Sequence, residues 1–357
     1  MDKGKAVIEG LSVSSLPPRS KTVHLAYSRA MPPKTWLITG GAGYVGSHVA
    51  DAFLGGGNEV LIYDSLYRGL ESRIKYLRSK HSKDIPLVIG DIRDSVKFEE
   101  TLAKYSPYGI VHTAALKSVE ESMQKPDEYF EVNLQATKVI LELARNHKIK
   151  NFIFSSTAAV YGTPDHLNPV KEIDVKNPIS PYGASKLAAE EAVSEFLNLP
   201  FNRGTSLRFF NAVGAGSPEL MDNSTSNLIP IVINRIGAGE PPIIFGTDYP
   251  TPDGTCIRDY VDVRDIASAH LFLAESTKNL PLAINVGTSR GYSVREVIRL
   301  VCNAVDVDNF FPIEQGRRSG DSAMLLADVS LMKNALGFKA KFSLEESVNS
   351  LFTLKNG

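Results

Sequence analysis

The sequence contains little cysteine, and this scarcity limits what can stabilise the fold. Its 357 residues include two cysteines, Cys256 and Cys302, which form no C-x-x-C pair. Neither a disulfide framework nor a structural zinc site is therefore indicated. The chain also lacks an apolar run of the roughly 18 to 20 residues that cross a bilayer. We expect no membrane partner and no bound metal.

An excess of charge of either sign is also missing. Lys and Arg total 39, Asp and Glu total 40, and the formal net charge is −1. Such a balance argues against nonspecific binding to nucleic acid or to a membrane surface, although it leaves room for a local basic pocket. With 43% hydrophobic and 22% charged residues, the composition is typical of a soluble globular protein. We expect a cytoplasmic protein.

The first 33 residues lack the periodicity of the remainder. They are rich in Ser and basic residues and contain no long apolar segment. This pattern is not typical of a secretory signal, and Asp2 and Glu9 fit an organelle transit peptide poorly. We expect a disordered tail over residues 1–33.

From Thr35 onward, apolar strands alternate with segments of helical apolar spacing. The predicted strands are Thr35–Thr39, Glu59–Tyr63, Pro86–Ile89, Gly109–Thr113, Asn151–Ser155 and Ser206–Phe209. This alternation is typical of a doubly wound parallel sheet, and it weakens beyond Ala212. The sequence therefore predicts an α/β fold with a Rossmann-like domain over 34–211. A smaller C-terminal α/β lobe would occupy 212–357, with some segments returning to the first domain.

A glycine-rich turn, TGGAGYVG over 39–46, joins the first predicted strand to the first helix. Gly40 allows the tight turn, Gly43 lets the backbone approach a pyrophosphate, and Gly46 lets the helix pack closely on the strand. The amides of the helix N-terminus would then face the phosphates. Its position between a strand and a helix predicts a dinucleotide site, to which Tyr44 and Val45 also belong.

Acidic residues follow the second and third strands. Asp64 lies 24 positions after Gly40, where a carboxylate accepts hydrogen bonds from the adenosine ribose and disfavours a 2′-phosphate. NAD is therefore favoured over NADP, although the nearby Arg68 argues mildly the other way. Asp91 and Ile92 are placed to meet the adenine. The Asp94 side chain can equally be a helix N-cap.

Two segments carry candidate catalytic groups. Ser180 and Pro181 are typical of a helix start, which puts Tyr182 and Lys186 on one helical face. A lysine ammonium favours the phenolate and lowers the pKa of the tyrosine, so the pair can act as a general base. The hydroxyls of the run SSTAAVYG over 155–162, at the carboxyl end of the fifth strand, can hydrogen-bond a substrate oxygen.

These motifs together resemble the extended short-chain dehydrogenase/reductase family, and within it the UDP-glucose 4-epimerases (UDP-galactose 4-epimerases). Three further runs support the resemblance: HTAALKSV over 112–119, LRFFNAVGA over 207–215 and FGTDYPTPDGTCIRDYVD over 245–262. The resemblance covers essentially Lys34 to Leu354. In the family the third residue of the serine run is the catalytic hydroxyl, and here it is Thr157.

The resemblance implies the remaining site residues, an NAD cofactor and a homodimer. The implied NAD contacts are Lys117, Asn133, Tyr182, Lys186 and Phe210. The implied UDP-sugar contacts are Lys117, Thr157, Tyr182, Asn211, Asn227, Leu228, Arg258, Tyr260, Arg318, Asp321 and Leu325. A bulky side chain at the last of these positions is expected to hinder 2-acetamido sugars.

The implied activity is NAD-dependent inversion of C4 of a UDP-sugar through a transient 4-keto intermediate, with UDP-glucose and UDP-galactose as the expected pair. A UDP-pentose or UDP-uronate 4-epimerase shares nearly every motif and stays open. A 4,6-dehydratase would use acids directly after the catalytic hydroxyl, where Ala158 and Ala159 stand. An inactive NAD-binding regulator would usually have lost the base or the hydroxyl, and both are present.

Overall fold

The structure is a computed structural model that describes residues 34–307, 311–318 and 320–353. The predicted N-terminal tail, residues 1–33, lies outside the described residues. Within the described ranges, no helix is long and apolar enough to span a membrane.

Strands occur along the whole described part of the chain. They are β1 (Thr35–Thr39), β2 (Glu59–Asp64), β3 (Leu87–Ile89), β4 (Gly109–His112), β5 (Asn151–Thr157), β6 (Arg203–Phe209), β7 (Asn211–Val213), β8 (Ile243–Phe245), β9 (Ile257–Asp262), β10 (Ala283–Val286), β11 (Gly291–Ser293), β12 (Ile313–Gln315) and β13 (Met324–Leu325).

Helices connect most of these strands. The α-helices are α1 (Tyr44–Gly55), α2 (Glu71–His81), α3 (Ser95–Tyr105), α4 (Val119–Gln124), α5 (Pro126–Phe130), α6 (Ala136–Asn146), α7 (Pro181–Leu197), α8 (Leu228–Gly237), α9 (Val263–Glu275), α10 (Val294–Ala304) and α11 (Leu344–Thr353). Short 3₁₀ or π segments lie at Glu131–Gln135, Ala158–Val160, Pro218–Leu220 and Leu331–Leu336.

The main sheet is parallel throughout, in the order β10-β6-β5-β4-β1-β2-β3. Strands β1 to β6 lie in the doubly wound order β6-β5-β4-β1-β2-β3. In sheets of this order, ligands bind at the carboxyl ends of the strands. The predicted fold class is therefore confirmed. β10 was not among the predicted strands, because four residues interrupted by the polar Asn285 cannot be told from a loop until β6 pairs with them.

Both faces of the main sheet are covered, and this explains the consecutive apolar residues in the middle of strands such as β1 and β2. On β1, Trp36 and Ile38 belong to one buried cluster, whereas Leu37 belongs to the other. Successive side chains of a strand point to opposite faces, so burial on both faces requires an apolar residue at every position. Helices α1 and α9 supply side chains to the first cluster, and α3, α6 and α7 to the second.

A smaller sheet is centred on β9. This strand pairs antiparallel with β11 and parallel with β13 and β7, while β8 and β12 form a separate parallel pair. A third buried cluster includes Val232 of α8, Val301 of α10 and Val348 of α11. Two segments of the predicted second lobe, α9 and β10, pack with the main sheet. The domain boundaries stay a prediction.

Candidate active site

The candidate site lies at the carboxyl edge of the main sheet. All strands of this sheet are parallel, so the loops that follow β1, β2, β4 and β5 leave from the same edge. The glycine turn, Asp64, Lys117 and Thr157 are carried by these four strand ends. The fold therefore gathers residues that are up to 117 positions apart in the chain.

The glycine turn has the geometry that close packing of strand and helix requires. Gly40 has a φ of +69°, in the left-handed region. A Cβ atom on Gly46 would lie 2.1 Å from the Gly40 carbonyl oxygen, so any other residue there would displace the turn. Gly43 is the N-cap of α1 and contributes no side chain to the cap. The first amides of α1 thus have no intrahelical partner and are available to an anion.

Tyr44 and Val45 enter the site through their backbone. The Tyr44 hydroxyl donates a 2.6 Å hydrogen bond to the Gly214 carbonyl, and the side chain of Val45 packs against the main apolar cluster. One turn later, His48 Nε2 accepts a 2.9 Å hydrogen bond from the Gly216 amide. Side chains of α1 therefore hold the segment that follows β7, while the amides of the helix N-terminus remain for a ligand.

Asp64 is buried at the end of β2 and accepts hydrogen bonds from the amides of Ala42 and Leu66, at 2.9 and 2.8 Å. Each carboxylate oxygen uses one lone pair in this way and retains another for a ribose hydroxyl. Burial raises the pKa of Asp64 and the two amides oppose that rise. Arg68, the residue that argued for NADP, is paired with Glu121 at 2.6 Å.

Asp91, Ile92 and Asp94, in the segment after β3, each contact other residues of the protein. The Asp91 carboxylate accepts hydrogen bonds from Arg93, whose Nη2 lies 2.7 Å away, and the side-chain hydrogen bond lowers the pKa of Asp91. Ile92 is 6% exposed and packs in the second apolar cluster. Asp94 caps α3 by accepting from the Lys97 amide, as the sequence allowed. A contact of this segment with adenine stays a prediction.

The predicted catalytic residues lie together. Thr157 ends β5, and its hydroxyl is close enough to the phenol of Tyr182 to lower the pKa of that phenol. α7 begins as predicted, because the Ser180 hydroxyl accepts from the Gly183 amide at 3.1 Å and Pro181 is the first helical residue. Lys186 follows one turn after Tyr182, with its ammonium 3.9 Å from the centroid of the Phe154 ring. The three groups thus form one continuous site.

Burial dominates the protonation of this site. It raises the pKa of Tyr182, and the Thr157 hydroxyl opposes the rise. Burial also lowers the pKa of Lys186 to about 7, and the nearby Glu190 carboxylate raises it. The predicted lowering of the Tyr182 pKa is therefore not found in the protein alone, because desolvation of the phenolate outweighs the effect of Thr157.

Asn133 is buried beneath the loop that carries Lys117 and hydrogen-bonds that loop. Its side-chain oxygen accepts from the Leu116 amide at 2.9 Å, and its nitrogen donates to the Leu116 carbonyl and the Ser185 hydroxyl at 3.0 and 3.1 Å. These bonds fix the loop that carries Lys117 against α7. The side chain of Asn133 is 1% exposed, so any contribution to cofactor binding passes through that loop.

Lys117 and Phe210 differ in exposure: Lys117 is exposed at the surface, whereas Phe210 is buried. The pKa of the Lys117 ammonium is nevertheless lowered, mainly by desolvation and also by Arg68 and Arg73, while Asp222 opposes this change. This side chain can therefore neutralise a phosphate or hydrogen-bond a sugar hydroxyl. Phe210 directly follows β6 and is 6% exposed within the main apolar cluster.

The register of the small sheet joins four of the predicted substrate residues. On β9, Arg258 and Tyr260 are two positions apart and so share a face. Asn211 of β7 lies beside Tyr260, and Leu325 of β13 lies beside Arg258. Arg258 is held by the Ser322 carbonyl at 2.8 Å and by the Asp321 carboxylate at 3.3 Å. Burial raises the pKa of Tyr260, which keeps its phenol neutral.

The remaining substrate candidates lie on neighbouring segments. Arg318 is exposed and stacks over the Phe245 ring, with 3.8 Å from the guanidinium carbon to the ring centroid. Asn227 is the N-cap of α8 and donates to Asp222, and Leu228 is the first residue of the helix. Direct contacts of these residues with a nucleotide stay predictions.

Sequence reasoning missed three residues of this region. Arg73 of α2 is 1% exposed and donates to the carbonyls of Ala42 and Met221, at 3.0 and 2.6 Å. It therefore ties the glycine turn to the segment before α8. Burial lowers the pKa of Arg73 and the Asp222 carboxylate opposes that fall, while the Phe245 ring stacks with Arg318. Phe245 begins one of the quoted motifs, but no sequence signal marked Arg73 or Asp222.

Comparison with known proteins identifies the family. The model of the NAD dependent epimerase/dehydratase family matches residues 36–287, which is more than half of the chain. This chain therefore belongs to that family. The family depends on NAD, so the predicted cofactor is confirmed.

Similar proteins carry a narrower name. The UDP-glucose 4-epimerase of Halalkalibacterium halodurans is 38% identical over 329 residues, covering 87% of this chain and 92% of the relative. The crystal structure of UDP-glucose 4-epimerase from Bifidobacterium longum in complex with NAD⁺ and UDP has a TM-score of 0.83. It is 33% identical and covers 90% of this chain and 98% of that one.

A third similar protein is the UDP-Glc/GlcNAc 4-epimerase from Campylobacter jejuni. Its structure has a TM-score of 0.77 and 35% identity, covering 90% of this chain and 99% of that chain. The expected resemblance to UDP-glucose 4-epimerases is confirmed.

Proposed function

We propose that this chain is an NAD-dependent epimerase that inverts C4 of a UDP-sugar and interconverts UDP-glucose and UDP-galactose. One observation carries the proposal: Thr157, Tyr182 and Lys186 lie together at the end of β5. This is the same sheet edge that presents the glycine turn. The names of the similar proteins support the same activity.

The residues present fit NAD. The glycine N-cap at Gly43 leaves the first amides of α1 free for a pyrophosphate, and Gly46 lets this helix pack closely on the glycine turn. The Asp64 carboxylate suits two ribose hydroxyls, and Arg68 is paired elsewhere. NAD held there would supply a hydride acceptor and, in its oxidised form, a positive charge. That charge favours the phenolate and offsets the burial that raises the pKa of Tyr182.

In the proposed mechanism, Tyr182 accepts the proton of the 4-hydroxyl as that carbon loses a hydride. The Thr157 hydroxyl, which lies beside the phenol, would hydrogen-bond the same sugar oxygen. The ammonium of Lys186 stabilises the developing phenolate. The resulting 4-keto sugar turns about its diphosphate linkage and is reduced on the opposite face, and Tyr182 then returns its proton.

This reaction requires a firm hold on UDP and a loose hold on the hexose. Arg258 and Arg318 are suited to the diphosphate, because a guanidinium forms paired hydrogen bonds with phosphate oxygens. Arg258 is already oriented by Ser322 and Asp321. The Phe245 ring beside Arg318 offers an apolar plane for a base. Because NAD is regenerated in each turnover, tight cofactor binding does not slow catalysis.

The deciding experiment assays the purified protein against UDP-galactose, UDP-xylose, UDP-glucuronate and their N-acetylated relatives. We expect conversion of UDP-galactose to UDP-glucose without net consumption of NAD. Preferred turnover of UDP-xylose or UDP-glucuronate would instead favour the pentose or uronate alternative. Loss of water from the sugar would contradict epimerisation, and we do not expect it because Ala158 and Ala159 carry no acid.

Cofactor identity has its own test. Denaturing the purified protein and chromatographing the supernatant should release NAD or NADH, because Asp64 disfavours a 2′-phosphate. Recovery of mainly NADP would contradict the role given to Asp64.

We further propose a homodimer in the cytoplasm, as the family resemblance implies. Light scattering coupled to size-exclusion chromatography tests the first part, and a single-chain mass at micromolar concentration would contradict it. Microscopy of a tagged chain in its own cell tests the second.

A further inference from the structure

One buried ion pair lies directly behind the catalytic residues. Glu190 is on α7, four residues after Lys186, and the two side chains are 4% and 2% exposed. The Glu190 carboxylate accepts a 2.7 Å hydrogen bond from the Ser156 hydroxyl. It also accepts from Arg208 of β6, whose Nε lies 3.1 Å from both carboxylate oxygens.

This position connects three elements of the candidate site. α7 carries Tyr182 and Lys186, β5 carries Ser156 directly before Thr157, and β6 leads from Arg208 to Phe210 and Asn211. A single carboxylate thus holds together the elements that present the base, the hydroxyl and part of the substrate lobe.

Arg208 is itself fixed on its far side. Its Nη1 donates to the Tyr161 hydroxyl and the Glu172 carbonyl, both at 2.9 Å. The Tyr161 hydroxyl donates in turn to Asn285 of β10 at 2.7 Å. A buried ion pair is weak grounds for stability, because desolvation offsets the attraction. Its location suggests a role in the chemistry.

The titratable groups that interact with Lys186 are Glu190, on the same helix, and His112 of β4. Tyr182 lies one turn before Lys186 on α7, and Arg208 of β6 is paired with Glu190. Burial lowers the pKa of His112 to about 3, so its ring is neutral. The remaining neighbour is the Phe154 ring of β5, which the ammonium faces. Glu190 is therefore the carboxylate that favours the charged form of Lys186.

We propose that Glu190 is a positioning residue for the epimerase reaction: through Ser156 and Arg208 it holds β5, β6 and α7 together so that Thr157 lies beside Tyr182, and it places a carboxylate one turn from Lys186. The inference rests on the proposed function. Arg208 orients the carboxylate, and Glu190 touches neither sugar nor cofactor. Its removal should therefore slow the chemical step and leave substrate binding nearly unchanged.

The first test is Glu190→Gln in the NAD-loaded enzyme, with the exposed neighbour Glu191→Gln as the matched control. We expect kcat to fall at least tenfold with KM for UDP-galactose within about threefold, because only proton transfer is impaired. The alkaline limit of kcat should move to lower pH, since Lys186 loses its proton earlier. The control should match the wild type.

A second measurement does not depend on turnover. The phenolate absorbance of Tyr182 is obtained as the difference between each protein and its Tyr182→Phe counterpart. Since a neutral Lys186 no longer favours the phenolate, Tyr182 should ionise at higher pH in Glu190→Gln. An unchanged phenolate titration together with an unchanged pH profile would overturn the proposal.

Glu190→Gln leaves Arg208 buried without its partner and can prevent folding. The double variant Glu190→Gln/Arg208→Met removes both charges and decides that case. Low kcat with the shifted pH profile supports the proposal, whereas recovery of wild-type kcat and pH profile means that Glu190 only balances Arg208. Absence of UDP-sugar epimerisation in the wild type would contradict the proposed function, and the phenolate titration would still test Glu190.

Discussion

At the residue scale, the site separates groups that react from groups that hold them. Thr157 and Tyr182 lie at the reacting position, whereas Asn133 and Arg73 hydrogen-bond the backbone of neighbouring loops. The second kind of residue therefore fixes loops. Substitutions at the reacting residues should therefore affect turnover alone, whereas substitutions at the residues that hold loops should also affect stability.

Tyr182→Phe should abolish epimerisation and leave NAD bound. The change removes one hydroxyl, and loss of a general base typically lowers the rate by about 10² to 10⁴-fold. Steady-state turnover of UDP-galactose, cofactor content and melting temperature are the three measurements. Turnover above about a tenth of the wild-type value would show that Tyr182 is not the base.

Leu325 is the residue expected to restrict the sugar. It is half-buried on β13 beside Arg258, and it packs against the main apolar cluster. An acetamido group must take space that this side chain fills, and a packed wall yields at about 1 to 3 kcal/mol. We expect kcat/KM for UDP-galactose to exceed that for UDP-N-acetylgalactosamine by roughly tenfold or more.

Leu325→Cys tests the restriction directly, because it shortens the side chain and keeps it apolar. The preference for UDP-galactose should relax in this variant. Equal turnover of both sugars by the wild type, or an unrelaxed preference in the variant, would mean that Leu325 is only a core residue.

At the element scale, α1 joins cofactor binding to packing. Its N-terminus lacks a side-chain cap, while Tyr44 and His48 on its first turns bind the backbone of the segment after β7. A glycine N-cap such as Gly43 makes a helix start weaker than a Ser, Thr, Asn or Asp cap by only about a few tenths of a kcal/mol. The same omission leaves its amides free for an anion.

Gly46→Ala should lose NAD and destabilise the fold, because the new Cβ would lie 2.1 Å from the Gly40 carbonyl oxygen. Gly55→Ala in the same helix is the matched control, since no atom lies within 4 Å of its Cβ position. The control should be neutral or slightly stabilising. Cofactor content and urea unfolding check both, and full NAD occupancy in Gly46→Ala would contradict the packing argument.

At the scale of the whole molecule, three histidines are buried within the described residues as parts of hydrogen-bonded contacts between elements. His112 lies between the Thr39 and Thr137 hydroxyls, at 2.7 and 3.0 Å. His270 bonds Ser155 at 2.8 Å, and His48 bonds Gly216. Burial lowers the pKa of His48 and His270 from 6.5 to about 4, and that of His112 to about 3.

Stability should therefore fall on acidification. Below pH 6.5 the unfolded chain binds protons at these histidines and the native state does not, so the free energy of unfolding decreases as pH falls toward 4. The slope is up to about 1.4 kcal/mol per histidine per pH unit. Urea unfolding at several pH values from 7.5 to 5, above the main range of carboxyl titration, measures it. A constant free energy over that interval would rule out the buried neutral histidines.

The sequence by itself determined the first six strands of the main sheet, the glycine turn, the start of α7 and the Tyr182–Lys186 pair. Each depends on local signals: apolar runs, a φ that glycine adopts, an N-cap followed by proline, and helical spacing. Family resemblance added the roles of residues such as Arg258 and Asn211.

Only the tertiary structure decided the rest. The register of β9 with β7 and β13 aligns Asn211 with Tyr260 and Leu325 with Arg258, and such pairing leaves no mark within one segment. The raised pKa of Tyr182 and the lowered pKa of Lys186 follow from burial, which spacing along a helix does not reveal. The carboxylate of Glu190 contacts Ser156 and Arg208 because β5, β6 and α7 pack together. Desolvation and contacts between distant segments depend on the whole fold, so neither can be derived from one segment of sequence.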